Sequence, residues 1–158
     1  MHQTGFHLAQ VNIGRARAAM DDPLMHGFVS QLAAINALAD GSPGFVWRLQ
    51  TEDGDATALR PYEDERILVN MSVWESAAAL KEYVYRGDHV AVMRDRRQWF
   101  EHFSGIYMAL WWIPAGSLPT VDQAKQRIDH LQLHGETPYA FSFRRLFPAP
   151  QEAAATLP

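Results

Sequence analysis

His89 is the residue in this 158-residue chain best suited to moving a proton. Asp88 offers a helix cap just before it, so the imidazole falls in a first helical turn. Unpaired backbone N–H groups there disfavour its protonated form. A neutral imidazole at physiological pH can act as a base on a phenolic or enolic hydroxyl. The same ring can instead cap the helix or bond a backbone carbonyl. Arg96 and Arg97 follow two turns later, and on an ideal helix Arg96 lies about 20° around the axis from His89, on the same face. A guanidinium at that place suits a carboxylate or an enolate oxygen. It equally suits an ion pair with Asp95 or Glu101, or a contact across a dimer interface.

Aromatic groups crowd the same region. Residues 72–119 hold four of the five tryptophans, and Trp99, Phe100, Phe103, Tyr107, Trp111 and Trp112 can wall a pocket for an organic ligand. In an extended strand, Tyr107, Ala109 and Trp111 point one way and Met108, Leu110 and Trp112 the other. One of the paired tryptophans therefore faces the helices and the other the far side of the sheet. Gln10, Asn12, Asn70 and Ser72 are polar residues inside apolar strands. Buried amides cost stability unless hydrogen-bonded, so these four line a pocket, hold a water or bond across an interface.

Other chemistries find little support. There is no cysteine, which removes disulfides, thiolate nucleophiles and cysteine-ligated metals. The histidines at 2, 7, 26, 102, 130 and 134 show no HxH or HExxH spacing, and no metal site is expected. His130 and His134 are i, i+4 and can share a metal, but before Gly135 they also complement a helix C-terminus. A haem needs one axial histidine, which His89 or His102 can supply. No phosphate loop, GxSxG or paired-carboxylate pattern occurs. A net charge of −4 gives no footprint for nucleic acid. No run approaches ~18 apolar residues, so no membrane span is expected. No secretory signal is visible, and a cytoplasmic location is the expectation.

With 47% hydrophobic and 20% charged residues the chain reads as one globular domain, 1–158, with a core over about 5–149 and a tail at 150–158. Phe6–Ile13 alternates as a strand. Asp22-Pro23 opens a helix in which Leu24, Phe28, Leu32, Ile35 and Leu38 recur at helical spacing up to Gly41. Phe45–Gln50 is a second strand, and 51–65 is a polar loop. Arg66–Trp74 is a third strand, with Ile67, Val69, Met71 and Val73 on one face and Leu68, Asn70, Ser72 and Trp74 on the other. Glu75–Tyr85 is helical, and a further helix runs from Asp88 to about Phe103. Ile106–Ile113 is the fourth strand. Thr120 and Gln123 form a capping-box pattern opening a helix that carries Ala124, Ile128 and Leu131 inward. Tyr139–Phe147 is a late strand or extended arm.

This order predicts a ferredoxin-like antiparallel sheet, α+β in class, with helices on one face. Both faces carry apolar groups, so the uncovered one needs a cover, and a second copy of the chain is the simplest.

The segments Val73-Trp74-Glu75-Ser76, Tyr85-Arg86, His89, Arg97-Gln98-Trp99-Phe100, Leu110-Trp-Trp-Ile-Pro-Ala-Gly116 and Glu136-Thr-Pro-Tyr-Ala-Phe-Ser-Phe143 resemble the DUF3291 family, across residues 5–149. The resemblance implies a dimeric α+β barrel, two sheets packed face to face, each subunit with a pocket between sheet and helices. That superfamily includes cofactor-free quinone-forming monooxygenases, haem proteins and small stress-response proteins. The family has no established activity, so the fold lends no mechanism. The spacing of Trp74 and His89 is similar to that in antibiotic-biosynthesis-type monooxygenases, where a histidine lies near the pocket.

The expectation is therefore a homodimer binding a small aromatic or polyketide-like molecule, without a cofactor, and as an enzyme a cofactor-independent oxygenase. His89 would be its base and Arg96 or Arg97 its anion anchor. Asn12, Tyr107 and Trp111 would position the substrate, with Asn70, Trp99 and Phe100 lining the pocket. A non-catalytic binding or structural dimer is the alternative, and a haem-binding relative a third.

Overall fold

The computed structural model describes residues 5–50, 66–85, 98–101 and 107–150. Its elements are β1 (Phe6–Arg15), α1 (His26–Asp40), β2 (Phe45–Arg48), β3 (Ile67–Trp74), α2 (Ala77–Val84), β4 (Met108–Pro114) and α3 (Val121–His134). A short 3-10 turn, Pro23–Met25, precedes α1, and the Asp22 carboxylate caps it by accepting from the Leu24 N–H at 2.9 Å. Leu24 thus lies in the turn, exposed, and not on the inward stripe of the helix. The strands form one antiparallel sheet in the order β2-β3-β1-β4. That is the ferredoxin-like order the sequence implied.

The two sheet faces follow from strand parity. On one, Ala9, Val11 and Ile13 of β1 join Val69, Met71 and Val73 of β3 and Ala109, Trp111 and Ile113 of β4. On the other, Leu8, Trp74 and Leu110 pack with Leu38 and Ala39 of α1 and Leu80 and Tyr83 of α2. A bulge in β2 lets Phe45 meet Trp74 on this second face while Trp47 packs on the first.

α1 and α2 are the two crossover helices and share a face. α3 lies on the opposite one, where Ala124, Ile128 and Leu131 bury against the Val11/Met71/Trp111 surface. The cover required by the second apolar face therefore comes from the same chain. Thr120 and Gln123 make both bonds of the expected capping box, at 3.1 and 3.0 Å, and α3 ends at Gly135 with φ +74°.

Trp99 lies in a turn and Phe100 in an isolated bridge, so neither is helical. Arg17 N–H donates to the Trp99 carbonyl and Glu101 N–H to the Arg15 carbonyl, so Phe100 bridges Ala16 beside the end of β1. Residues 99–101 therefore do not form the helix expected to run to Phe103, and the rest of that expected helix, 88–97 and 102–103, lies outside the described residues. Burial of Trp99 and Phe100 against Phe28 and Leu68 outweighs a helix at 99–101. After α3, the late segment is an arm without regular strand: Phe141 and Leu110 exchange backbone hydrogen bonds at 2.7 and 3.0 Å, closing the β4 edge.

Candidate ligand-binding site

On the α1/α2 face, the central strands carry four polar side chains in two facing pairs, Gln10 opposite Ser72 and Asn12 opposite Asn70. Strand alternation puts all four on one side, and the antiparallel register makes them neighbours. Gln10 Nε2 donates to Ser72 Oγ at 2.7 Å and to Asn70 Oδ1 at 2.9 Å. Asn12 Nδ2 donates to Gln10 Oε1 at 3.1 Å and to Asn70 Oδ1 at 3.2 Å. Trp74 Nε1–H completes the inner end on Ser72 Oγ at 2.8 Å.

The strip is graded in burial. Gln10 and Ser72 are 6% and 7% exposed, Asn12 is half-buried and Asn70 is exposed. At the inner end Arg48 stands opposite Ser72, and its charge is matched by Asp40 at 2.8 Å. Two apolar clusters bracket the strip. One is Leu8, Trp74, Tyr83 and Leu110, with Tyr83 stacked on Trp74 at 5.0 Å. The other, beyond Gly14, is Leu68, Trp99, Phe100, Met25 and Phe28, where Phe28 meets Phe100 edge-on at 5.0 Å.

α1 joins the brackets. Phe28 packs in the outer cluster and Leu38 and Ala39 in the inner, so the helix passes over the strip. Its intervening Leu32 and Ile35 are half-buried and belong to none of the three clusters of described residues. Gly27 lets the helix start lie flat on Trp99, for a Cβ there would sit 3.0 Å from the indole.

Of the expected site, the structure pairs Asn12 with Asn70, and it packs Trp99 and Phe100 in the separate cluster around Leu68 and Phe28. It does not bring Trp111 to them: that side chain is 0% exposed on the α3 face, while Trp112 lies on the α1/α2 face with its Nε1–H on the Phe147 carbonyl at 2.9 Å. Tyr107 is 45% exposed at the β4 entry, where its carbonyl accepts from Ile13 N–H. An exposed phenol can bond water, so its place gives no physical reason for contact with a ligand. His89, Arg96 and Arg97 lie outside the described residues, as does His102. Glu101, a candidate partner for the arginine run, is engaged by Arg15 at 3.3 Å and Arg66 at 3.0 Å.

Three members of the site escaped the sequence reading. Trp74 is read from sequence as a strand residue outside the expected site, yet its N–H anchors the network. Arg48 and Asp40, eight residues apart, gave no signal until the helix end and β2 were side by side. Among the described residues, no three histidine, aspartate or glutamate side chains gather as a metal site, and no helix is long and apolar enough to cross a membrane.

Comparison with solved structures gives the fold. A conserved protein from Methanosarcina mazei Go1 matches with a TM-score of 0.51 at 8% identity, over 71% of this chain and 95% of that one. SnoaB, a cofactor-independent oxygenase from Streptomyces nogalater, matches at 0.48 and 18% identity, over 74% of this chain and 100% of that one. No protein of curated function matches. The profile of a domain of unknown function, DUF3291, spans residues 7–157, and the chain belongs to that family.

Proposed function

We propose that the chain binds a small, largely aromatic molecule on the α1/α2 face of its sheet, at the Asn12–Asn70 pair. The carrying observation is the hydrogen-bond count at that pair. Asn12 Nδ2 spends both protons within the network and Gln10 Nε2 does the same. Among the described residues, Asn12 Oδ1 and the Asn70 amide N–H groups are left over, at the exposed end of the strip. Turning all three amides by 180° keeps every contact and exchanges donors for acceptors, with Ser72 then donating to Gln10. Either way the pair presents one acceptor and one donor. A phenol, hydroxyketone or amide on an aromatic frame satisfies both.

As an enzyme, the reading is a cofactor-independent oxygenase: His89 removes a phenolic or enolic proton, and the electron-rich anion reacts with O2. Support for that step is the sequence alone, the place of His89 after Trp74 and at a helix start. Self-association belongs to the same reading through the family resemblance. The sheet face filled by α3 is closed to a second sheet while α3 stays in place, so light scattering on the purified protein is the direct measure.

The binding test is NMR titration with 1-naphthol and with an anthrone, read at the side-chain amides of Asn12, Asn70 and Gln10. Saturable shifts at these amides, lost in Asn70→Ala, are expected; no shift at any of them overturns the site. The catalytic test is O2 uptake with the anthrone and no added metal. Loss of uptake in His89→Ala is expected, and unchanged uptake removes the proposed base.

A further inference from the structure

The opposite face of the sheet holds a second unresolved polar account. Trp111 is wholly buried beneath α3, yet its Nε1–H has no acceptor among the described residues. Arg127, on α3 between the buried Ala124 and Leu131, has its guanidinium carbon 5.7 Å from the centre of the Trp111 ring and 3.7 Å from that of Tyr139. Its Nη1 donates to the Tyr139 carbonyl at 2.8 Å, while its buried Nε–H is without a partner. Two donors within one cation–π cluster thus lack an acceptor, and buried donors are rarely left so. His7, opposite Ile113 and on the same face, adds a third unpartnered buried atom, Nδ1.

Charge indicates what belongs there. Among the described residues no carboxylate pairs with Arg127. The Tyr139 ring against which it lies is 4.5 Å from that of His130. Burial lowers the Arg127 pKa from its usual value, as expected for a cation without an anion, with Tyr139 acting in the opposite direction. A water would satisfy the N–H groups but leave the charge unmatched. An oxyanion does both, and a guanidinium edge fits the two oxygens of a carboxylate.

We infer that Arg127 and Trp111 form a binding site for a small carboxylate between α3 and β4, on the far side of the sheet from Asn12 and Asn70. The carboxylate accepts from Arg127 Nε–H and Trp111 Nε1–H, and it enters past Tyr139, which is 40% exposed. The site is independent of the aromatic site above, because Trp111 and its neighbours Leu110 and Trp112 point to opposite faces.

The test is titration of the full chain with sodium formate against sodium chloride at equal ionic strength, read at the Trp111 indole N–H by NMR. A saturable shift with formate and none with chloride is expected, with formate affinity at least tenfold weaker in Arg127→Gln. Arg127→Lys, which keeps the charge and loses the paired N–H edge, should bind formate between the two. No formate-specific shift in the wild-type chain overturns the site, even if the variants do not fold. So does an affinity unchanged in Arg127→Gln, which would mean the indole is meeting formate without the guanidinium.

Discussion

Asn12 and Asn70 face each other across β1 and β3 with their amides 3.2 Å apart, one step along the sheet from the tighter pair of Gln10 and Ser72 at 2.7 Å. The inner pair is buried and fully engaged; the outer pair is open and has bonding capacity left. The strip therefore divides into a part that holds the fold and a part free to meet a ligand, and the two separate under mutation.

Ser72→Ala tests the inner part. It takes the acceptor from Trp74 Nε1–H and from one of the two Gln10 Nε2 protons, the other keeping its bond to Asn70 Oδ1. A loss of about 2 kcal/mol is expected, since an unsatisfied buried donor costs ~1–3 kcal/mol. Urea unfolding measures it, and a loss below about 0.5 kcal/mol would mean water enters the strip.

Asn70→Ala tests the outer part. Asn70 is exposed and its Oδ1 can be replaced by water, so stability should change by less than about 1 kcal/mol. Ligand affinity should fall about tenfold or more, which is the weight of one or two hydrogen bonds. Calorimetric titration with 1-naphthol against the wild type and against Asn12→Ala gives the comparison. Equal loss of stability and affinity would place Asn70 among the structural residues.

Much of this arrangement is legible in sequence because strands have a period of two. Apolar Ile67, Val69, Met71 and Val73 alternating with Asn70 and Ser72 announce both the strand and its polar face, and Gln10 and Asn12 do the same for β1. The α3 stripe and its capping box are local and equally readable. What periodicity lacks is a target. It gives α3 an apolar face without saying which surface that face meets, so the sheet's second cover looked like a partner chain. Likewise Glu101 with Arg15 and Arg66 is a long-range pairing, and Arg48–Asp40 depends on how β2 turns back beside the end of α1. The helix expected through Trp99 fails for a similar reason: its aromatic pair, Trp99 and Phe100, has a tertiary partner in Phe28, far away in sequence yet 5.9 and 5.0 Å away in space.

Gly44 fixes how β2 leaves α1. Its φ is +80°, and a Cβ would lie 2.5 Å from that of Ala79 on α2. Gly44→Ala therefore meets both backbone strain and a collision with a neighbouring helix. A loss of at least about 1–3 kcal/mol is expected from strain of this kind alone. Gly116 has φ +91° with no atom within 4 Å, so Gly116→Ala carries the strain without the collision. Thermal unfolding should rank Gly44→Ala well below Gly116→Ala, and equal effects would show that α2 moves aside at little cost.

The α3 cover makes the last prediction. Ile128 and Leu131 are buried against Val11, Met71 and Trp111, and truncating a buried leucine or isoleucine to alanine costs about 2–5 kcal/mol. Ile128→Ala with Leu131→Ala should weaken the docking of α3 more than the sheet itself, because the strands remain paired and α1 and α2 still pack on the other face. The uncovered surface is broad and apolar, and such surfaces associate. The double variant is therefore expected to run as a larger species than the wild type in light scattering at equal concentration. In hydrogen exchange, α3 should lose protection before β1 and β3. If the assembly state is unchanged and α3 keeps its protection, the helix is held by Arg127, Tyr139 and the capping box more than by its apolar face.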